Sequence, residues 1–162
     1  MNLTCTFSGH RPEKLPWGRD QSDPRCTALK ITLYRELRAL CLRGVLSYIC
    51  GMARGADQLF LEALLELRKE FPLTVEAAVP CPSQADAWSP EEQTRYRALL
   101  GQCDRVTLVE DHYSPGCMLR RNRYMVDHAD ILVTVFDGSP GGTASTVAYA
   151  ESRGLEILPI WR

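Results

Sequence analysis

A chain of 162 residues, 45% hydrophobic and 24% charged, has the length and composition of about one soluble domain. Its 19 Lys and Arg against 20 Asp and Glu give a formal net charge of −1, which excludes a surface basic throughout but leaves room for a local basic pocket. No apolar run approaches the ~20 residues of a membrane span, and Met1-Asn2-Leu3-Thr4 lacks the layout of a secretory signal, so a cytoplasmic protein with one domain over 1–162 is expected.

Leu3–Ser8 is a short β-prone run that ends at Gly9-His10-Arg11-Pro12. A polar loop leads to a helix over about 24–43, with Cys26, Leu29, Leu33, Leu37, Leu40 and Cys41 at helical spacing and Gly44 as its stop. Val45–Cys50 is the second strand. The helix over 56–71 carries Leu59, Phe60, Ala63, Leu64 and Leu67 on one face and ends at Pro72. Thr74–Val79 is the third strand, and Ser89-Pro90-Glu91-Glu92 announces a helix through a capping box. Strand four follows at 105–109 and a helix at 118–128. Ile131–Phe136 is apolar enough to be a strand buried on both faces. A glycine-rich turn opens a helix over 143–153, and 156–161 is strand six. Strands alternating with helices predict parallel β-α-β units: an α/β, three-layer α/β/α sandwich with a mostly parallel sheet of about six strands.

Seven cysteines without a C-x-x-C pair suit neither a disulfide framework nor a zinc site. Cys5 and Cys50 lie in apolar runs, where a free Cys acts as a small hydrophobe. Cys81 and Cys117, placed in loops, keep a redox role open.

The unusual residues gather after the strands. Gly9-His10-Arg11, Gly51 to Asp57, Gln84 to Trp88 and Asp137 to Thr143 all follow C-terminal strand ends, the edge at which open α/β sheets bind ligands. Loops at the other edge are short and plain. In Gly51-Met52-Ala53-Arg54-Gly55-Ala56-Asp57, the glycines, the helix start and Arg54 suit a phosphate, and Asp57 suits a helix cap or a ribose hydroxyl. The same glycines also serve merely to turn a corner. Gly141-Gly142-Thr143 repeats the pattern, Thr143 being either an N-cap or a phosphate ligand. No G-K-[ST] follows, so Walker-type hydrolysis of Mg-ATP is not expected.

Met118, Asn122, Met125 and Ala129 share one helical face, on which Asn122 is the polar exception that either braces a loop or meets the ligand. One of Arg120, Arg121 and Arg123 can reach the cleft. His10 is either an acid–base group or a hydrogen-bonding loop residue, and Trp88 either stacks on a base or packs beneath its loop.

Ser8-Gly9-His10-Arg11-Pro12, Gly51 to Asp57, Gln84 with Trp88, Arg121-Asn122-Arg123-Tyr124-Met125-Val126-Asp127, and Asp137-Gly138 leading to Gly141-Gly142-Thr143 together resemble the YpsA-like family of the SLOG superfamily, over Ser8 to about Ala150. The resemblance implies a Rossmann-like fold that binds a nucleotide or a nucleotide-derived ligand. The related Lonely Guy phosphoribohydrolases carry an Arg-Lys pair before strand five and P-G-G-x-G-T-x-x-E after it. Here Arg121 stands at the Arg and Asn122 at the Lys. Pro140-Gly141-Gly142 agrees, but Val147 and Ala148 stand where the acidic residues belong. N-glycosidic hydrolysis therefore lacks its expected carboxylate.

The expectation is a binding or sensing protein for a nucleotide-like small molecule, with no cofactor, no metal and no membrane partner, and with a homo-oligomer open. The alternative is a nucleotide N-glycosidic hydrolase that recruits Asp57 or Asp137. Single-stranded DNA is disfavoured by the net charge. The expected ligand residues are Gly9, His10, Arg11, Gly51, Arg54, Gly55, Asp57, Gln84, Trp88, Arg121, Asn122, Asp137, Gly138, Gly141, Gly142 and Thr143.

Overall fold

Six strands arise where the apolar runs predict them: β1 (Thr4–Gly9), β2 (Ser47–Cys50), β3 (Thr74–Val79), β4 (Arg105–Leu108), β5 (Ile131–Val135) and β6 (Glu156–Trp161). Between them lie α1 (Pro24–Leu42), α2 (Ala56–Leu67), α3 (Pro90–Leu100), α4 (Cys117–Asp127) and α5 (Gly142–Ser152) in the computed structural model, which describes residues 2–161. The capping box of α3 forms as expected, Ser89 Oγ accepting from the Glu92 N–H and the Glu92 carboxylate from the Ser89 N–H. α2 stops four residues short of its expected end. Phe71 precedes Pro72, which disfavours helical backbone there, and the last N–H groups close tight turns onto Leu64, Glu66 and Leu67. A 3₁₀ turn at Pro12–Lys14, absent from the pattern reading, begins in the polar loop.

All five pairings are parallel, and the strand order is β4-β3-β2-β1-β5-β6. The chain steps outward from β1 to β4, then returns across the sheet to place β5 on β1's other side. The order therefore reverses between β1 and β5, and there the C-terminal strand ends leave a crevice.

One face carries the main core, in which α1 and α2 lie on Cys5, Phe7, Tyr48, Cys50, Val75 and Val133, with Tyr96 and Leu99 of α3 joining them. The rings of Phe7 and Phe60 stack at 4.6 Å. The opposite face, under α4 and α5, has two smaller apolar clusters, around Met125 and around Val126 and Leu132. The cysteines behave as core residues. Cys5, Cys26, Cys41 and Cys50 are buried, and so are Cys81 and Cys117, the two that were expected in loops; Cys117 is the first residue of α4. Burial pushes the Cys103 thiol up to about 11, away from thiolate chemistry.

Among the described residues, no helix is long and apolar enough to cross a membrane.

Candidate functional site

The crevice at the β1/β5 reversal opens into a cavity of about 430 Å³, within the range of small-molecule sites. Its floor is the end of β1. Gly9 is packed so tightly there that a Cβ would stand 2.7 Å from the Cβ of Ala56. His10 follows, 2% exposed, its N–H donating to the Val135 carbonyl and its own carbonyl accepting from the Ala56 N–H. Its Nε2 lies 2.9 Å from Asp137 Oδ1 and 3.2 Å from the Asp137 backbone nitrogen, so the tautomer decides whether it donates to the carboxylate or accepts from the amide. The Ser139 hydroxyl and N–H, together with His10, hold the Asp137 carboxyl well below the usual carboxylate range.

The segment after β1 crosses the mouth of the cavity as a strap. Lys14 Nζ donates to the Pro140 carbonyl at 2.6 Å, and an Arg11 guanidinium nitrogen sits 3.1 Å from the Met118 sulfur. On the other side, Arg54 pairs with Glu13 at 3.1 Å and with Glu92 at 3.5 Å, while its guanidinium lies over the Trp88 ring. Trp88 in turn meets Tyr96 edge to face, beneath its loop.

The polar residue that α4 buries is Arg121, not Asn122. The buried residues are Cys117, Arg121, Met125 and Val126; Met125 lies on the expected face, but Cys117 and Arg121 take the places expected for Met118 and Asn122, and Asn122 is half-buried. Arg121 is 2% exposed because its Nη1 finds carbonyl partners at two strand ends. It donates to the Gly51 carbonyl, to the Ala78 carbonyl at 3.4 Å and to Gln84 Oε1 at 3.3 Å, and its Nε donates to Asn122 Oδ1 at 2.8 Å. Asn122 thus braces the arginine rather than a loop. A Cβ at Gly51 would stand 3.0 Å from the guanidinium carbon, so the arginine would have to shift by a few tenths of an ångström to admit one.

Asp57, 6% exposed, borders the cavity and folds its own loop by accepting from the Ala53 N–H at 3.1 Å. Burial pushes its carboxyl up to about 6, against the pull of Arg121 and the Ala53 N–H. The folded chain therefore keeps this proton after the unfolded chain, with its carboxyl at 3.8, has released it, so Asp57's contribution to stability falls as pH rises from about 4 to about 6 and is level above that. Asp57→Asn should gain on the wild type by about 2 kcal/mol between about pH 4 and about pH 7 in urea titrations. A gap that stays constant with pH would place this carboxyl in water.

The two glycine-rich helix starts differ. Gly55, at φ +84°, packs against the strap, where a Cβ would stand 2.7 Å from the His10 carbonyl oxygen, and the first N–H of α2 is taken by that carbonyl. Gly141, at φ +143°, opens α5 with no side-chain cap, so Thr143 does not serve as the N-cap. That helix start faces the cavity through Gly141, Gly142 and Thr143.

Of the sixteen expected residues, the cavity wall thus gathers Gly9, His10, Arg11, Arg54, Asp57, Arg121, Asn122, Gly141, Gly142 and Thr143. Gln84 and Trp88 line a small adjoining crevice, Gly51 and Gly55 pack against Arg121 and the strap, Asp137 is exposed and meets His10, and Gly138 lies in the exposed turn. Sequence reasoning missed Glu13 and Lys14, which line the cavity. Their signal was two opposite charges just past a strand end at the ligand edge. A comparable cavity of about 460 Å³ lies at the strands' N-terminal ends beside Glu76 and Arg105, but those two charges are paired with each other and no glycine-rich loop or helix start borders it.

The model of the YspA SLOG family matches residues 5–155. The chain belongs to that family. The uncharacterized SPbeta prophage-derived protein YoqJ of Bacillus subtilis is 32% identical over 128 residues, 71% of this chain and 74% of that protein. A UPF0398 protein of Lactobacillus gasseri is 26% identical over 133 residues, 80% of this chain and 70% of its own. Two DNA processing protein A structures share the fold. The one from Streptococcus pneumoniae has a TM-score of 0.64 and 15% identity over 98% of this chain. The one from Helicobacter pylori, described by its single-stranded DNA binding mode, has a TM-score of 0.66 and 16% identity over 97% of this chain. This chain spans half of the first protein and 64% of the second. The Rossmann-like SLOG architecture expected from the motifs is therefore the observed one.

Proposed function

We propose that the β1/β5 cleft binds a nucleotide or nucleotide-derived small molecule by its anionic group. The observation that carries this reading is the uncapped, glycine-initiated start of α5, facing a cavity that Arg11, Lys14 and Arg54 also border. A phosphate at Gly142 and Thr143 meets backbone N–H groups and the positive end of the helix, and Lys14 is close enough to turn to it. The Asp57 carboxyl suits a sugar hydroxyl, accepting when ionised and donating when protonated. Binding is favoured over N-glycosidic hydrolysis, because Asp137 is committed to His10 and Ser139, Asp57 is held by the Ala53 N–H in folding its own loop, and no acidic residue stands at Val147 or Ala148.

Isothermal titration against nucleoside monophosphates, cyclic nucleotides and ADP-ribose tests this. A specific ligand should bind the wild type and lose about tenfold or more in affinity with Lys14→Ala, as expected for a lost charge-assisted contact. Equal affinity in the variant removes Lys14 from the site, and release of free base from a monophosphate would favour the hydrolase instead.

A second reading, single-stranded DNA, is favoured by the shared fold of the Helicobacter pylori protein and its described binding mode. It predicts gel shifts whose affinity falls steeply with salt, where a single nucleotide's falls shallowly.

A further inference from the structure

Arg54, in the wall of the cleft, already has counter-ions within the chain. Glu13 Oε1 lies 3.1 Å from one of its guanidinium nitrogens and 3.5 Å from a guanidinium nitrogen of Arg19. Glu92 Oε2 lies 3.0 Å from Arg19 Nε and 3.5 Å from the other terminal nitrogen of Arg54. Two arginines and two glutamates thus alternate in a closed ring, which joins the strap to the loop before α2 and to the start of α3. The two glutamates are held differently. Glu92 is fixed, because its other oxygen accepts from the Ser89 N–H in the capping box of α3. Glu13 sits in a single 3₁₀ turn, its side chain is 53% exposed, and one oxygen serves both arginines. Glu13 and Arg54 both line the main cleft, so an anion that pairs with Arg54 there competes with the Glu13 carboxylate for the same guanidinium.

We infer that Glu13 is a built-in competitor for the ligand's anionic group: the anion takes Arg54 from Glu13, and the displaced carboxylate passes wholly to Arg19. The inference rests on the reading of the cleft as an anion site and adds what regulates it. The exchange leaves no charge without a partner, since Glu13 already touches Arg19. It also sets a threshold. A phosphate dianion carries more charge than a carboxylate and displaces Glu13, whereas a ligand with a single carboxylate gains little by the exchange.

The test compares the wild-type chain with Glu13→Gln, Glu13→Asp and Arg19→Met, using AMP and inorganic phosphate as probes in calorimetric and ³¹P NMR titrations. Glu13→Gln removes the competing charge, and Glu13→Asp keeps it but shortens its reach. Both should bind a probe about two- to fivefold more tightly, the equivalent of one exposed ion pair. A gain in Glu13→Gln alone would make Glu13 a diffuse repulsive charge and overturn the inference. Arg19 lies outside the cleft wall, and Arg19→Met leaves Glu13 wholly to Arg54, so this variant should bind about twofold more weakly. Equal or tighter binding there would overturn the hand-over to Arg19. If a probe binds and neither Glu13 variant binds it more tightly, the inference falls while the cleft reading stands. If no probe binds any of the four proteins at millimolar concentration, the anion reading of the cleft falls and the inference with it.

Discussion

Arg121→Met should lower the unfolding free energy by about 3–5 kcal/mol, the range for removing one member of a buried charge cluster. The side chain is 2% exposed and is the common partner of the Gly51 carbonyl, the Ala78 carbonyl, Gln84 and Asn122, so its loss leaves four polar groups short of a partner in one step. It also strips the buried Asp57 carboxyl of the positive charge that pulls on it most strongly. Because Gly51 directly follows β2 and Ala78 lies in β3, the loops leaving those strands lose their common tie, and ligand binding should be lost with stability. Arg121→Lys keeps a charge but not the planar fork and should recover less than half of the loss. Urea denaturation is the measurement. A cost below about 1 kcal/mol for Arg121→Met would mean that water replaces the guanidinium and that Arg121 is not the tie.

Gly55→Ala should cost about 3 kcal/mol or more, since two penalties combine. The residue sits at φ +84°, where an L side chain is strained, and its Cβ would lie 2.7 Å from the His10 carbonyl oxygen and 3.0 Å from the Arg11 Cα. Both obstacles are backbone, so no rotamer change relieves them. The strap would have to move off α2, taking Glu13 and Lys14 with it. Gly44→Ala is the control: it has a similar φ, +89°, with nothing within 4 Å of its Cβ, and should lose only about 1 kcal/mol. Equal losses at the two positions would show that φ alone matters and that the strap does not pack on α2.

The strand and helix pattern was legible because each element carries its own period. β3 and β6 begin and end where expected, and the Ser89 cap marks α3 to the residue. Legibility failed where long-range partners decide. Arg121 is expected at the ligand edge, but the pattern Arg120-Arg121-Asn122-Arg123 does not show that it is the buried one, since only the strand-end carbonyls across the sheet make its burial tolerable. Glu13 and Lys14 look like ordinary loop charges until the loop folds over the cleft. The two glycine-rich starts look alike in sequence. In the fold, one supports the strap while the other faces the cavity, a difference set by the neighbours of Gly55 and Gly141.

The central claim is that ligand enters at the C-terminal edge, on the start of α5. A ¹H–¹⁵N NMR titration with a nucleotide that binds in calorimetry tests it residue by residue. The backbone amides of Gly142, Thr143 and Lys14 should move together along one binding curve, while those of Ser47, Glu76 and Arg105, at the cavity of the opposite edge, stay still. Shifts centred on Glu76 and Arg105, with Gly142 and Thr143 unmoved, would contradict it.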